Sequence, residues 1–239
     1  GQEAAARAQA GPDGDVLGAA RLLNTRAYVA RLLEDPRYAD AQNRKAPPKV
    51  GSRLVLFDCL TCDKCVPVCP NDANFTFTLP QGEIPVSKAR RDEDGAWHIT
   101  PGEPLRITRK HQIATLASFC NECGNCDVFC PEDGGPYLAK PRFFGSLARF
   151  REAKSLDGFF VDPGGGAIHG RFAGREFHVR ADGARIVYSG EGFELSLDAD
   201  GSEASVTGRA DGEVDLTYFH VLRWLRDGIA ADPTSYVNV

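Results

Sequence analysis

The spacing of apolar residues changes period several times along the chain, and each change marks an element. Val16, Leu17, Ala20, Leu23, Ala27 and Ala30 recur at helical spacing, with Tyr28, Val29, Leu32 and Leu33 widening the stripe. Asp15 supplies an N-cap for this helix and Asp35-Pro36 a stop. Residues Gly1 to Asp15 are small, Ala-rich and polar, and read as linker with little order. Ala46-Pro47-Pro48-Lys49 reads as a stiff connector.

Arg53 to Phe57 form a short β-prone run. After Pro70, Asn71-Asp72-Ala73 reads as a turn, and Phe75, Phe77 and Leu79 alternate as a half-buried strand does. Ile84 and Val86, an Asp94-Gly95 turn, Trp97 and Ile99, then Leu105 and Ile107 predict one or two hairpins laid beside the flanking cysteines. Such an insert either shields a buried group from water or meets a partner. Phe143, Phe144, Leu147 and Phe150 lie at i, i+1, i+4 and i+7 and predict an amphipathic helix. Ser155 to Gly158 read as a boundary. Short alternating strands follow at Glu176 to Arg180, Ala184 to Tyr188, Phe193 to Leu197 and Ala204 to Thr207, with hairpin turns at Asp182-Gly183 and Asp200-Gly201. A closing helix runs from about Leu216 to Arg226. The expected fold is α+β: an N-terminal helical segment and linker over 1–50, a domain with a hairpin insert over 51–155, and over 156–239 a small antiparallel β module capped by a helix.

Composition adds bounds. With 239 residues and 42% hydrophobic content, the chain can bury more than one core. The net charge of −5 leaves no basic footprint for nucleic acid. From Arg151 onward nine Lys/Arg face fifteen Asp/Glu, an acidic surface that either orients a basic partner or is simply solvated. No apolar stretch approaches the ~20 residues that span a bilayer. The apolar run from Ile113 to Cys120 is broken by Thr115 and Ser118, so no membrane association is expected. Methionine is absent even at position 1, which points to the tail of a longer polypeptide or a processed chain.

The chemistry lies in eight cysteines arranged as two copies of one pattern. Cys59, Cys62, Cys65 and Cys69 precede Pro70, and Cys120, Cys123, Cys126 and Cys130 precede Pro131. Both read C-x2-C-x2-C-x3-C-P, the spacing of paired [4Fe–4S] clusters in which the fourth cysteine ligates the other cluster. The expected ligand sets are therefore Cys59, Cys62, Cys65 and Cys130 for the first cluster, and Cys120, Cys123, Cys126 and Cys69 for the second. Zinc is a poorer reading, because a zinc ribbon needs two cysteines per half and has no use for the third or for Cys-Pro. Disulfides fit neither the chain length nor the lack of a secretory signal pattern. A thioredoxin-type pair leaves most of the cysteines unexplained. Free thiolates imply a reducing compartment, and the cytoplasm is the expected location. Between the ligands, Gly124 is expected to let backbone amides approach sulfur, and Thr61, Asn121 and Asn125 to add polarity. Val66, Val68, Val128 and Phe129 are expected to exclude water.

Other motifs carry less. Gly164-Gly165-Gly166 lacks the flanking strand and helix of a phosphate loop and reads as a turn. His98, His111, His169, His178 and His220 share no metal-ligand spacing and read as packing or surface residues. Asp92 to Asp94 read as solvated charge in a turn. No catalytic constellation and no dinucleotide fingerprint is visible, so no NAD(P)H oxidation is expected of this chain alone.

The segments Cys59-Leu60-Thr61-Cys62-Asp63-Lys64-Cys65 and Cys120-Asn121-Glu122-Cys123-Gly124-Asn125-Cys126 resemble the C-terminal iron–sulfur region of the selenate reductase subunit family, which is related to the FAD- and NAD(P)-binding small subunit of glutamate synthase. The likeness continues through Phe129-Cys130-Pro131 and Gly158-Phe159-Phe160-Val161, over roughly Lys49 to the end. It implies a two-cluster bacterial ferredoxin-like domain within a relay: NAD(P)H reduces a flavin, electrons pass through both clusters, and a partner such as a molybdenum hydroxylase exchanges them with substrate. The nucleotide-binding core of the family is missing from this chain, so FAD and NAD(P) are expected only on a preceding domain or a partner flavoprotein subunit. The expected function is electron transfer within a flavin-dependent, NAD(P)-linked oxidoreductase. A cluster-bearing subunit of another multi-subunit oxidoreductase is the second reading, and a zinc-stabilised interaction protein the third.

Overall fold

The computed structural model describes residues 2–11, 15–36, 39, 41, 48–231 and 237. It divides into two units, Gly1–Pro47 and Pro48–Val239. In the first, α1 (Gln2–Ala10) packs against α2 (Val16–Glu34). The segment expected as linker is thus helical over α1, in keeping with the high helix propensity of its alanines. The predicted caps of α2 are in place: the Asp15 carboxylate accepts the Gly18 N–H at 2.8 Å, and the Asp35 N–H reaches the Arg31 carbonyl. No residue of α2 is fully buried, and Leu17, Val29 and Leu33 are exposed. Ala46 and Pro47 of the expected connector lie outside the described residues.

A nine-stranded sheet organises the second unit. At one edge β1 (Asn74–Thr78) pairs antiparallel with β6 (His111–Leu116). Two parallel steps follow, to β7 (Arg142–Phe143) and β8 (Gly158–Val161). An antiparallel meander then runs through β9 (Ala167–Phe172), β10 (Arg175–Asp182), β11 (Arg185–Gly190), β12 (Phe193–Asp198) and β13 (Thr207–Ala210). Strands from both sides of the expected boundary at 155/156 therefore share one sheet. One core runs through it, from Phe75 and Phe77 to Leu195 and Leu197.

Three sequence expectations change in this unit. Phe143 is not helical: Pro141 and Gly145 flank it, and its ring packs centrally in the sheet, 5.6–6.1 Å from those of Phe75, Phe77 and Phe159. The helix is only α5 (Leu147–Glu152; α3 and α4 belong to the thiol region below), N-capped by Ser146 and anchored by Phe150. Arg53 to Phe57 form no strand; Leu54 and Phe57 are buried three residues apart, and Arg53 makes a single bridge to Asp133. Ala204 lies in a 3-10 turn at Glu203–Ser205, and the strand begins later, at β13.

The insert between the cysteine motifs forms β2 (Gly82–Ile84), β3 (Ser87–Arg91), β4 (Trp97–Pro101) and β5 (Leu105–Ile107). These are the expected hairpins, β3 with β4 inside β2 with β5. They are tied to the C-terminal part, and the residues after β5 also to Asp58 beside Cys59, whose carboxylate accepts the Thr108 and Arg109 N–H groups at 3.1–3.2 Å. β14 (Val214–Asp215) pairs with β3, and the Trp224 indole N–H donates to the Pro80 carbonyl at 3.2 Å. Buried Ser87 bonds Glu203, whose carboxylate also meets His220 at 2.8 Å. The closing helix α6 (Thr217–Ala230) packs on β1, β2, β9 and β10 through Phe219, Leu222, Leu225 and Ile229.

That packing needs a bare strand position. A Cβ built on Gly170 in β9 falls 2.5 Å from Leu222 Cδ2. Gly170→Ala is therefore expected to cost about 1–3 kcal/mol by overpacking, read as a lower denaturation midpoint. An unchanged midpoint would show that α6 has room to shift.

His169 and His178 lie directly opposite each other on β9 and β10, with rings stacked at 4.1 Å beside Phe160. Burial and then the neighbouring His178 lower His169 to about 4, and burial lowers His178. Arg151 pushes both the same way, while Asp162 opposes. The unfolded chain takes up these protons near the ordinary histidine value of 6.5, before the folded chain does. Stability therefore rises with pH across the window from about 4 to 6.5. It is fully present above that window and lost as pH falls through it. Denaturation midpoints should drop on acidification, and His169→Phe should flatten the slope; equal slopes would refute the assignment.

Candidate functional site

Both cysteine loops use the same backbone device. Thr61 and Asp63 flank Cys62 with φ of 49° and 57°, and Glu122 and Gly124 flank Cys123 with φ of 56° and 80°. Left-handed residues on both sides of a cysteine curl the chain and gather neighbouring amides on one side of the loop. Gly124 lines the second cavity and holds φ at 80°, a conformation that favours glycine. The second loop then enters a short helix, α3 (Asn125–Phe129), followed by α4 (Pro136–Ala139).

The loops line two open-mouthed cavities. One is bordered by Cys59, Cys62, Cys65 and Cys130, the other by Cys120, Cys123, Cys126 and Cys69. Each cavity takes three thiols from one motif and the last from the other. All eight cysteines are free thiols. Among the described residues no three His, Cys, Asp or Glu side chains form a group able to hold a metal ion as they stand. The four thiols of each set border a space instead of meeting at a point.

Strand register explains the first exchange. Asn74 faces Thr115, and the Leu116 N–H donates to the Ala73 carbonyl at 2.7 Å. The chain leaving Cys69 for β1 therefore lies beside the chain leaving β6 for Cys120. The second exchange has a similar cause. Val50 N–H donates to Pro131, Leu54 N–H to Asp133, and Asp133 N–H to Ser52, all at 2.8–2.9 Å. This zipper lays the segment after Cys130 against the one that leads to Cys59.

Three side chains that the sequence reading did not single out hold this arrangement. Glu132 is buried; its carboxylate accepts the Leu60 N–H at 3.0 Å and the Ser52 hydroxyl at 2.9 Å, fastening the Cys130 segment to the first loop. Asn74 donates to the Cys65 carbonyl and accepts from Thr115, both at 2.8 Å, and its side chain also reaches the Cys126 sulfur. Lys140, 3% exposed, donates to the Val55 carbonyl at 3.1 Å and lines the first cavity. The one local hint was that Glu132 follows Cys130-Pro131 directly.

Burial is uneven among the thiols. Cys62 and Cys123 are exposed, while Cys65, Cys126 and Cys130 are buried. Burial raises the Cys65 thiol far above its ordinary range, with Cys126, Cys59, Cys62 and Cys130 adding to it. Burial also raises Cys126 and Cys130, against hydrogen bonds from the Tyr137 and Glu132 amides respectively. Further donors reach sulfur: Thr61 N–H to Cys59 at 3.4 Å and Ala73 N–H to Cys69 at 3.2 Å. Asn121 instead accepts the Cys123 N–H at 3.3 Å and braces its own loop. Water is excluded by Ile113, 2% exposed, which packs with Cys65, Cys126 and Val66. Val128, expected to share that task, is 55% exposed.

The remaining candidates stay out of these cavities. His111 pairs with Asp63 and His98 with Asp92, at 2.7 and 2.6 Å. Gly164-Gly165-Gly166 makes the turn from β8 to β9. Among the described residues no helix is long and apolar enough to cross a membrane.

The site thus defines a class: a chain with two cavities, each bordered by four cysteines of which the last comes from the opposite motif. Two curated proteins, from Escherichia coli K12 and Escherichia coli O157:H7, are similar to it, and both are named "Putative oxidoreductase YgfK". Each is 35% identical over 101 residues, which is 42% of this chain and 7% of the relative's own length. No family model and no solved structure matches.

Proposed function

We propose that this chain is the electron-transfer part of a larger oxidoreductase, carrying one [4Fe–4S] cluster in each thiol cavity. The observation that carries this reading is the division of eight cysteines into two cavities of four, each completed by the other motif's last cysteine. The donor set fits. Four soft thiols in a C-x2-C-x2-C-x3-C-P pattern suit a polynuclear iron–sulfur group, whereas a zinc ribbon needs only two cysteines per half. Redox function agrees with the name borne by the two similar proteins.

A bound cubane supplies reversible one-electron storage. The chain's own groups do the rest. The thiols give up their protons when they ligate, so loading releases protons. Amides of Thr61, Ala73, Glu132 and Tyr137 donate to sulfur and favour the more negative, reduced form. Ile113 keeps water from the inner thiols, while exposed Cys62 and Cys123 mark the sides open to a redox partner. We read the thiol region as a two-cluster ferredoxin-like arrangement joined to the C-terminal meander by a common sheet. FAD and NAD(P) belong, in this reading, to a preceding domain or a partner flavoprotein, and a molybdenum hydroxylase is one candidate acceptor.

The test is anaerobic isolation or reconstitution, followed by iron and acid-labile sulfide analysis and electron paramagnetic resonance. Two cubanes' worth of iron and sulfide, with a brown chromophore that dithionite bleaches, is the expected result. A folded, colourless chain holding stoichiometric zinc would falsify the reading.

A further inference from the structure

The two cavities differ in one feature: the first has a buried cation in its lining and the second has none. In the first, Lys140 is 3% exposed, its ammonium donates to the Val55 carbonyl, and among the described residues it has no carboxylate within 4.0 Å. Two carboxylates share that lining and keep their charge: Glu132, which accepts from Ser52 and Leu60, and Asp63, which pairs with His111. Lys49, the nearby exposed lysine, bonds the Asp127 and Glu132 carbonyls, pairs with the Asp127 and Asp133 carboxylates, and also acts on Cys130 from the solvent side. The second cavity has no cation in its lining. Arg142 behind it donates to the Tyr137 carbonyl and stands 3.5 Å from Glu122, so its charge is already answered.

The Lys140 ammonium has no carboxylate within ion-pair distance among the described residues, and its side chain lines the cavity whose four thiols turn anionic on ligation. We propose that Lys140 is the fixed counter-charge of the first site and sets its redox potential, making whatever cluster Cys59, Cys62, Cys65 and Cys130 hold easier to reduce. This rests on the function proposed above. Accepting one electron from an external donor adds one negative charge to the cage, with no bond made or broken. A nearby positive charge in a poorly screened wall favours that change. The second site lacks this feature, so only the first is tuned by it.

The experiment is a mediated dithionite titration of the anaerobically loaded full chain, read by electron paramagnetic resonance, for wild type, Lys140→Met and Lys140→Arg. In Lys140→Met the reduction equilibrium of one cluster is expected to fall about tenfold, or ~59 mV for a one-electron couple, while the other cluster and the iron content stay as in wild type. Lys140→Arg, which keeps the charge, should leave both clusters unmoved. Two unmoved potentials in Lys140→Met, equal shifts of both clusters, or the same shift in the arginine variant would each overturn the proposal. Should the methionine variant fail to fold, Lys140→Gln is titrated in its place with the same expectations. If wild type takes up no cluster, the failure belongs to the proposed function. If clusters form and ignore the charge, this inference alone falls.

Discussion

Cys69→Ser is expected to strip the second cavity and spare the first, although Cys69 belongs by sequence to the first motif. The β1–β6 register carries Cys69 next to Cys120, and the second cavity is bordered by Cys120, Cys123, Cys126 and Cys69. Serine oxygen is a harder and far less acidic donor than a thiolate, so the altered cage should lose or degrade its cluster. Cys65→Ser should do the reverse, because Cys65 borders the first cavity together with Cys59, Cys62 and Cys130. Each variant should retain about half of the wild-type iron and sulfide, and the two should keep different resonance signatures. Their sum should approximate wild type. Matching signatures from Cys69→Ser and Cys65→Ser would mean that each motif binds its own cluster, and the exchange would be wrong.

Loss of Arg171 should be the most damaging change away from the thiols. Its side chain is 1% exposed and lies 4.3 Å over the Phe150 ring. The guanidinium donates to the carbonyls of Phe150, Ala153 and Leu156 at 2.8–2.9 Å, and to the Glu176 carboxylate at 2.6 Å. Those carbonyls end α5 and the loop after it, so one side chain of β9 caps a helix and fastens it to the sheet. Arg171→Met would leave these acceptors without their donor, and the expected cost is about 3–5 kcal/mol. The denaturant midpoint should fall sharply. Glu176→Gln is the contrast: Glu176 is 54% exposed, so its loss should cost no more than about 1 kcal/mol. Similar losses in the two variants would mean that the ion pair, and not the carbonyl cap, is what Arg171 supplies.

Some of this was legible beforehand because the signal is local. The cap and stop of α2, the insert hairpins, the three central strands of the meander and the closing helix all follow from side-chain period and turn residues within one segment. Where two periods fit the same residues, the reading failed. The spacing of Phe143, Phe144, Leu147 and Phe150 satisfies a helix, yet Phe143 fills the sheet between β6 and β8. The continuous apolar run Phe159-Phe160-Val161 gave no alternation to mark β8, because all four residues of that strand are buried. Lys140 and Asn74 carried no local mark at all. What makes them part of the site is who their neighbours are, 85 and 41 residues away in the chain.

By itself the sequence determined which atoms are available: two repeats of four thiols, each with gaps short enough for one loop to gather three sulfurs. Only the tertiary structure decided what surrounds them. The zipper from Val50 to Asp133 and the register of β1 on β6 deliver the fourth thiol of each set. The same folding seals a lysine into one wall and none into the other. The physical reason is range. Loop conformation is set by torsions of adjacent residues, whereas burial and charge environment depend on segments that meet only after the sheet has closed.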